Sequence, residues 1–306
     1  MSSPEPRVAI VPEWPLAAEA VARAGGRVVG VEDAEALVWV DWSGPGRLAS
    51  VLEEFPAIGW VHLPGAGIES FLDSGVMAGG RLFTCSKGAH SSLIAEHALA
   101  LALAGLHSVA SSARASTWVG TRVTALAGAP VTIVGGGGIA SSLITMLAPF
   151  EAPVTVVRRH PDPVPGAVRT LTTDALHEAL PDARVVVLAL ALTPETRHII
   201  AAPELAAMHD RAWLVNVSRG GHVDTAALVE ALEAHAIAGA ALDVTEPEPL
   251  PDGHPLWSLP NCIVTPHHAG SSNAVMALLA NRIYDNVVRL GAGEPLLGVV
   301  DPEAGY

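Results

Sequence analysis

Three polar side chains in the last third of the chain could together do acid–base chemistry on a carbonyl compound. Arg219 stands in Asn216-Val217-Ser218-Arg219-Gly220-Gly221. An acid stands in Asp243-Val244-Thr245-Glu246-Pro247-Glu248-Pro249, and His267 stands in Thr265-Pro266-His267-His268-Ala269-Gly270. An arginine fork grips a carboxylate through two parallel hydrogen bonds. A histidine gives or takes a proton near neutral pH. A glutamate accepting the second ring N–H of that histidine would fix its tautomer and raise its pKa. Glu246 and Glu248 both qualify, because residues two apart on extended chain point the same way. His267 and His268 point to opposite faces and do not grip one ion. No other His or Cys pair has zinc spacing, so no metal is expected.

A second cluster could bind phosphate. Thr132-Ile133-Val134-Gly135-Gly136-Gly137-Gly138-Ile139-Ala140 reads as strand, G-x-G-x-x-A turn and helix. Gly135 allows the tight turn, Gly137 the approach of a pyrophosphate, and the small Ala140 the packing of helix on strand. The N–H groups at the helix start then face the phosphates. At the end of the next strand an NAD site carries an acid for the ribose 2′-hydroxyl. This chain has Arg158-Arg159 there, and an arginine fork suits a 2′-phosphate. NADP is the expected cofactor, with NAD the other candidate.

These residues need rigid elements beneath them. Val8–Val11, Val28–Val31, Leu37–Val40 and Trp60–Leu63 read as strands, with helices at Leu16–Ala24 and Leu48–Glu54. A long Ala/Leu helix, Ser92–Leu106, and a Ser-rich segment, Ser108–Arg122, follow. A second series of Val-rich strands then runs through Val131–Val134, Val154–Val157, Val185–Leu190, Trp213–Val217, Gly239–Asp243 and Ile263–Thr265, and Asn273–Leu290 is a final helix. Strands alternating with helices mean parallel α/β sheets, and uniformly apolar strands mean sheets covered on both faces.

Composition agrees. The 306 residues are 50% hydrophobic and carry a net charge of −14, with a mean hydropathy of +0.40. The acidic balance argues against nucleic acid or an anionic membrane as partner. No run reaches the roughly 18 apolar residues of a membrane span. Two distant cysteines make no disulfide framework. The N-terminus lacks an apolar signal core, which points to the cytoplasm.

In their order and spacing these pieces resemble the D-isomer-specific 2-hydroxyacid dehydrogenase family. The likeness extends to Gly65-Ala66-Gly67, Ala95-Glu96-His97, Leu192-Thr193-Pro194-Glu195-Thr196 and the tail Gly293-Glu294-Pro295-Leu296, and so covers nearly the whole chain. It implies a Rossmann domain (97–281) inserted into a smaller flavodoxin-like substrate domain (1–96, completed by 282–306). It assigns catalysis to Arg219, Glu248 and His267, choosing Glu248 over Glu246. Asp243 would hold the nicotinamide carboxamide, Gly138 and Ile139 the pyrophosphate, while Val217, Ser218 and Gly270 flank the nicotinamide. The loop Leu63–Gly67, with Gly65, Ala66 and Gly67, would bind the substrate carboxylate through its N–H groups. The implied reaction is hydride transfer between NADP(H) and a small 2-keto or D-2-hydroxy acid, such as glyoxylate or hydroxypyruvate, in a homodimer built on Ala95–Arg122.

Departures from the family pattern are Ala140 for the third glycine, Arg158 for the usual Asp, and His268 after the catalytic histidine. The family's formate dehydrogenases carry Gln where Glu248 stands, which disfavours that activity. A phosphoglycerate dehydrogenase would need a cationic patch in the N-terminal half, and a dinucleotide-sensing corepressor would bind cofactor without turnover. Trp39, Trp42, Trp60 and His62 are candidates to line the substrate pocket, Lys87 reads as a solvated loop lysine, and His97 reads as structural.

Overall fold

The computed structural model describes residues 5–41, 43–118, 120, 123–270 and 273–305. Trp42 and the end of the expected interface arm, residues 119, 121 and 122, lie outside them. The chain divides into two units, residues 1–90 with 272–306 and residues 91–271. The junctions expected at 96/97 and 281/282 fall inside helices, and the division comes instead at the helix starts. Ala95 already packs among the second unit's core residues, and Ala280 among the first unit's.

The first unit is one parallel sheet of β1 (Arg7–Val11), β2 (Arg27–Val28), β3 (Ala36–Trp39), β4 (Trp60–His62) and β5 (Leu82–Thr84), in the order β2-β1-β3-β4-β5. That is the flavodoxin-like order. β2 stops at Val28, short of the expected Val31, because it is an exposed edge that turns into a 3₁₀ turn at Val31–Asp33. β5 is too short to show periodicity and was not expected. The helix Asn273–Ala292 closes this unit, with Ile283 and Val287 packed beside Val8, Ala17 and Val21.

The second unit is a seven-stranded parallel sheet of β6 (Val131–Val134), β7 (Val154–Val157), β8 (Arg169–Leu171), β9 (Val185–Leu188), β10 (Trp213–Asn216), β11 (Gly239–Leu242) and β12 (Cys262–Val264). Its order, β12-β11-β10-β9-β6-β7-β8, is the Rossmann arrangement, with the chain reversing direction of travel at β6/β9. β8 escaped the sequence reading because an edge strand reading Arg-Thr-Leu has no apolar run. Apolar clusters cover both faces. One gathers Ala95, Ala98 and Leu101 of helix Ser91–Leu106 with Leu143 of helix Gly138–Leu147, and the other gathers Leu180, Leu205, Leu228 and Leu232. Among the described residues no helix is long and apolar enough to cross a membrane.

Candidate active site

The glycine turn between β6 and helix Gly138–Leu147 has the form that its spacing predicts. Gly135 has φ +118°, and a Cβ there would lie 2.0 Å from the Ala189 carbonyl oxygen, so only glycine fits. A Cβ on Gly137 would meet nothing within 4 Å, which leaves room for a group pressed against the backbone. Ala140 is fully buried where helix meets strand. The N–H groups of Gly138 and Ile139 open the helix toward that space, so the turn fits a pyrophosphate. Arg158 and Arg159 follow β7. Among the described residues no carboxylate pairs with Arg158.

At the carboxyl ends of β10, β11 and β12 three loops meet. The first is knit by the buried Asn216, whose Oδ1 accepts from the Ser218 N–H at 3.1 Å and whose Nδ2 donates to the Arg219 carbonyl at 2.8 Å. Val217 and Ser218 are buried beneath it, while the Arg219 guanidinium donates to the Ser218 carbonyl at 2.7 Å. This loop lies directly on the second one. A Cβ on Gly220 would fall 2.0 Å from the Thr245 carbonyl group, so glycine is obligatory there too.

The second loop gives the two glutamates different partners. Glu246 is taken by Arg197, whose Nη1 reaches its carboxylate oxygens at 2.9 and 3.0 Å, and by His198 Nε2 at 3.3 Å. Glu248 Oε1 lies 2.7 Å from His267 Nδ1. Both members of that pair are about half exposed, so the opposite ring nitrogen of His267 belongs to an open face.

The third loop is held by Asp243. The His267 N–H donates to its backbone carbonyl at 2.8 Å. The His268 and Ala269 N–H groups donate to its side chain at 2.8 and 3.0 Å. Thr265 Oγ1 donates at 2.5 Å, and His97 Nε2 is 3.1 Å away. Burial pushes this carboxyl up, but the hydrogen bonds from His97, Thr265, Ala269 and His268 outweigh it and hold the pKa at about 2. Those contacts lock His267 at φ +54°, a left-handed conformation that a histidine rarely adopts. Three of these donors fall on Oδ1 and one, the Ala269 N–H, on Oδ2, and the side chain is 1% exposed. Gly270 follows, with open space beside its Cα.

In the first unit the loop Leu63–Gly67 leaves the end of β4. The Ser86 N–H donates to the Gly65 carbonyl at 2.9 Å. Among the described residues the N–H groups of Gly65, Ala66 and Gly67 have no protein acceptor. Trp39, Trp60 and His62 are not lining residues but core, at most 2% exposed. Lys87 is half-buried, and its carbonyl accepts from Arg282 Nη1 at 3.0 Å.

Residues 97–269 match the family model for the D-isomer specific 2-hydroxyacid dehydrogenase NAD binding domain. The chain belongs to the D-isomer specific 2-hydroxyacid dehydrogenase family. It is therefore an NAD(P)-dependent oxidoreductase. A Corynebacterium melassecola protein, described only as an uncharacterized protein in the proB 3′ region, is 36% identical over 299 residues, covering 94% of this chain and 95% of its own length. A glyoxylate/hydroxypyruvate reductase A from Klebsiella pneumoniae is 35% identical over 176 residues, 58% of this chain and 56% of that protein. Among solved structures, a D-isomer specific 2-hydroxyacid dehydrogenase from Xanthobacter autotrophicus Py2, in complex with NADPH and MES, superimposes with a TM-score of 0.86 at 30% identity, over 99% of this chain and 100% of that one.

Sequence reasoning did not single out Asn216, Gly220 or Thr265, and it read His97 as structural without a partner. Gly220, Thr265 and His97 act through residues far along the chain, and Asn216 through its near neighbours Ser218 and Arg219. Asn and Gly beside Arg219 were the only local signal.

Proposed function

We propose that this dehydrogenase prefers NADP(H) and interconverts a small 2-keto acid and the D-2-hydroxy acid, with glyoxylate or hydroxypyruvate as first candidates. The observation that carries the reading is the 2.7 Å contact of His267 with Glu248 at the strand ends of a Rossmann sheet. When bound, the nicotinamide supplies a hydride to the carbonyl carbon. Arg219 pairs with the substrate carboxylate, and in the first unit the N–H groups of Gly65, Ala66 and Gly67 are suited to a carboxylate. His267, oriented through Nδ1 by Glu248, gives its Nε2 proton to the carbonyl oxygen as the hydroxyl forms. Asp243 keeps the His267 loop in place for that transfer. Gly135, Gly137, Gly138 and Ile139 receive the pyrophosphate, Val217, Ser218 and Gly270 flank the nicotinamide, and Arg158 and Arg159 take the 2′-phosphate. The reductase named above and the NADPH-bound relative support the substrate and cofactor choices.

The test follows oxidation of NADPH and of NADH against a panel of 2-keto acids, in the wild type and in Arg158→Asp. Turnover of the small acids with NADPH, shifted toward NADH in the variant, is the expected result. Turnover with NADH alone would overturn the cofactor assignment, and turnover of bulky keto acids alone would overturn the substrate assignment.

We also propose a homodimer. Val109, Trp118 and Val123 are exposed along the segment after helix Ser91–Leu106, apolar surface of the kind an interface covers. Sedimentation at the mass of a single 31.4 kDa chain would contradict it.

A further inference from the structure

Of the four consecutive glycines Gly138 opens the helix and the three before it do three different jobs, of which that of Gly136 is unaccounted for by phosphate binding. Gly135 is needed for its left-handed backbone and its contact with the Ala189 carbonyl. Gly137 faces open space. Gly136 has neither property. Its φ lies outside the left-handed region, so a side chain there meets no left-handed backbone strain. What a side chain would meet there is Arg158. A Cβ on Gly136 would lie 2.8 Å from Arg158 Cδ, 3.0 Å from Nε and 3.3 Å from Cβ. Contacts under 3.0 Å are not tolerated, so Arg158 would have to move. The aliphatic stem of Arg158 thus runs across the bare backbone of Gly136. Its backbone is fixed from the other side, where its N–H donates to the Leu171 carbonyl of β8 at 2.9 Å. Half-buried at the end of β7 and without a carboxylate partner among the described residues, the guanidinium is aimed by two things, its own strand and the missing side chain at position 136.

We infer that Gly136 is a specificity-determining residue: by lacking a side chain it sets the position of Arg158 over the glycine turn, and so the discrimination between a dinucleotide that carries a 2′-phosphate and one that does not. This rests on the reading of Arg158 as the 2′-phosphate ligand. The general reason is geometric. A bidentate guanidinium contact discriminates only while the fork is held in place, and a displaced fork keeps its charge but loses its alignment.

The experiment measures dissociation constants of NADP⁺ and NAD⁺ by titration calorimetry for the wild type, Gly136→Ala, Arg158→Ala and the double variant. Gly136→Ala is expected to lower the preference for NADP⁺ over NAD⁺ by roughly three- to tenfold, the scale of coupling between touching side chains. In the Arg158→Ala background the same substitution is expected to leave the preference unchanged, because the side chain it displaces is gone. An unchanged preference in Gly136→Ala, while Arg158→Ala alone abolishes it, would overturn this inference and leave the role of Arg158 standing. A shift of equal size in both backgrounds would also overturn it. An unchanged preference in Arg158→Ala itself would instead sink the reading of Arg158. Thermal melts of the four proteins identify any variant that does not fold. Should Gly136→Ala be one, Gly136→Ser, which places its Cβ at the same point, takes its part in the cycle.

Discussion

His62 and His267 both stand at or just beyond the carboxyl end of a parallel strand, and both are hydrogen-bonded through Nδ1. His62 is 1% exposed. Its Nδ1 is 2.8 Å from Thr84 Oγ1, its Nε2 is 3.3 Å from Ser86 Oγ, and the Trp60 indole donates to the same Thr84 oxygen at 2.8 Å. Burial, with a smaller push from the Arg282 charge, drops its pKa to about 3. His267 has a carboxylate in place of a hydroxyl, and an open face in place of a core. One histidine is a neutral connector in a closed polar chain. The other is left with a free side on which chemistry can occur. Exposure and the charge of the first partner separate a histidine that holds a fold from one that can move a proton.

The sharpest way to break this contrast is to replace both residues by asparagine. Asparagine tolerates the left-handed backbone that position 267 requires. His267→Asn is expected to lower kcat by about 10²–10⁴-fold, the usual contribution of a general acid, with stability within about 0.5 kcal/mol of the parent. His62→Asn should do the reverse. It leaves buried hydroxyls short of partners and should cost on the order of 2–4 kcal/mol in denaturant unfolding. A large kcat loss at fixed substrate binding in the well-folded His62 variant would erase the distinction.

The pH dependence of stability sharpens the same point. The His62 pKa is lowered on folding, so the neutral form it contributes is fully favoured above the unfolded value near 6.5 and lost as pH falls toward about 3. Asp243 is held at about 2, so its contribution is lost only below the unfolded value near 3.8. Between pH 6 and 4 the wild type should therefore lose up to about 1.4 kcal/mol per pH unit through His62, a slope that His62→Asn removes and Asp243→Asn does not.

A smaller effect is expected from Asp243→Asn itself. It puts an NH₂ group where an oxygen accepted N–H groups from the His267 loop. kcat should fall about 10- to 100-fold and stability by about 1–3 kcal/mol. Unchanged kcat in a folded Asp243→Asn protein would remove Asp243 from the positioning of His267.

Much of this molecule was readable along the chain. The glycine turn is a local object, in which a strand, three glycines and a helix start lie within ten residues, so their geometry follows from backbone rules alone. The alternation of Val-rich strands with helices gave two parallel sheets for the same reason, since periodicity is a property of neighbours. Short or polar edges such as β5 and β8 carry too little periodicity to be seen.

The order Arg219, glutamate, His267 was equally legible, but sequence spacing left Glu246 and Glu248 equivalent, and only family resemblance preferred one. The fold gives them different partners, Arg197 and His198 for Glu246 and His267 for Glu248, from positions 19 to 49 residues away. Packing likewise assigned His97 to Asp243 and Thr265, the latter across 168 residues, and pressed Gly220 against Thr245. A residue's type says which bonds it can make. Which partner arrives within 3 Å is set by the tertiary arrangement of strands, because hydrogen bonds act over a distance far shorter than the chain between the groups they join.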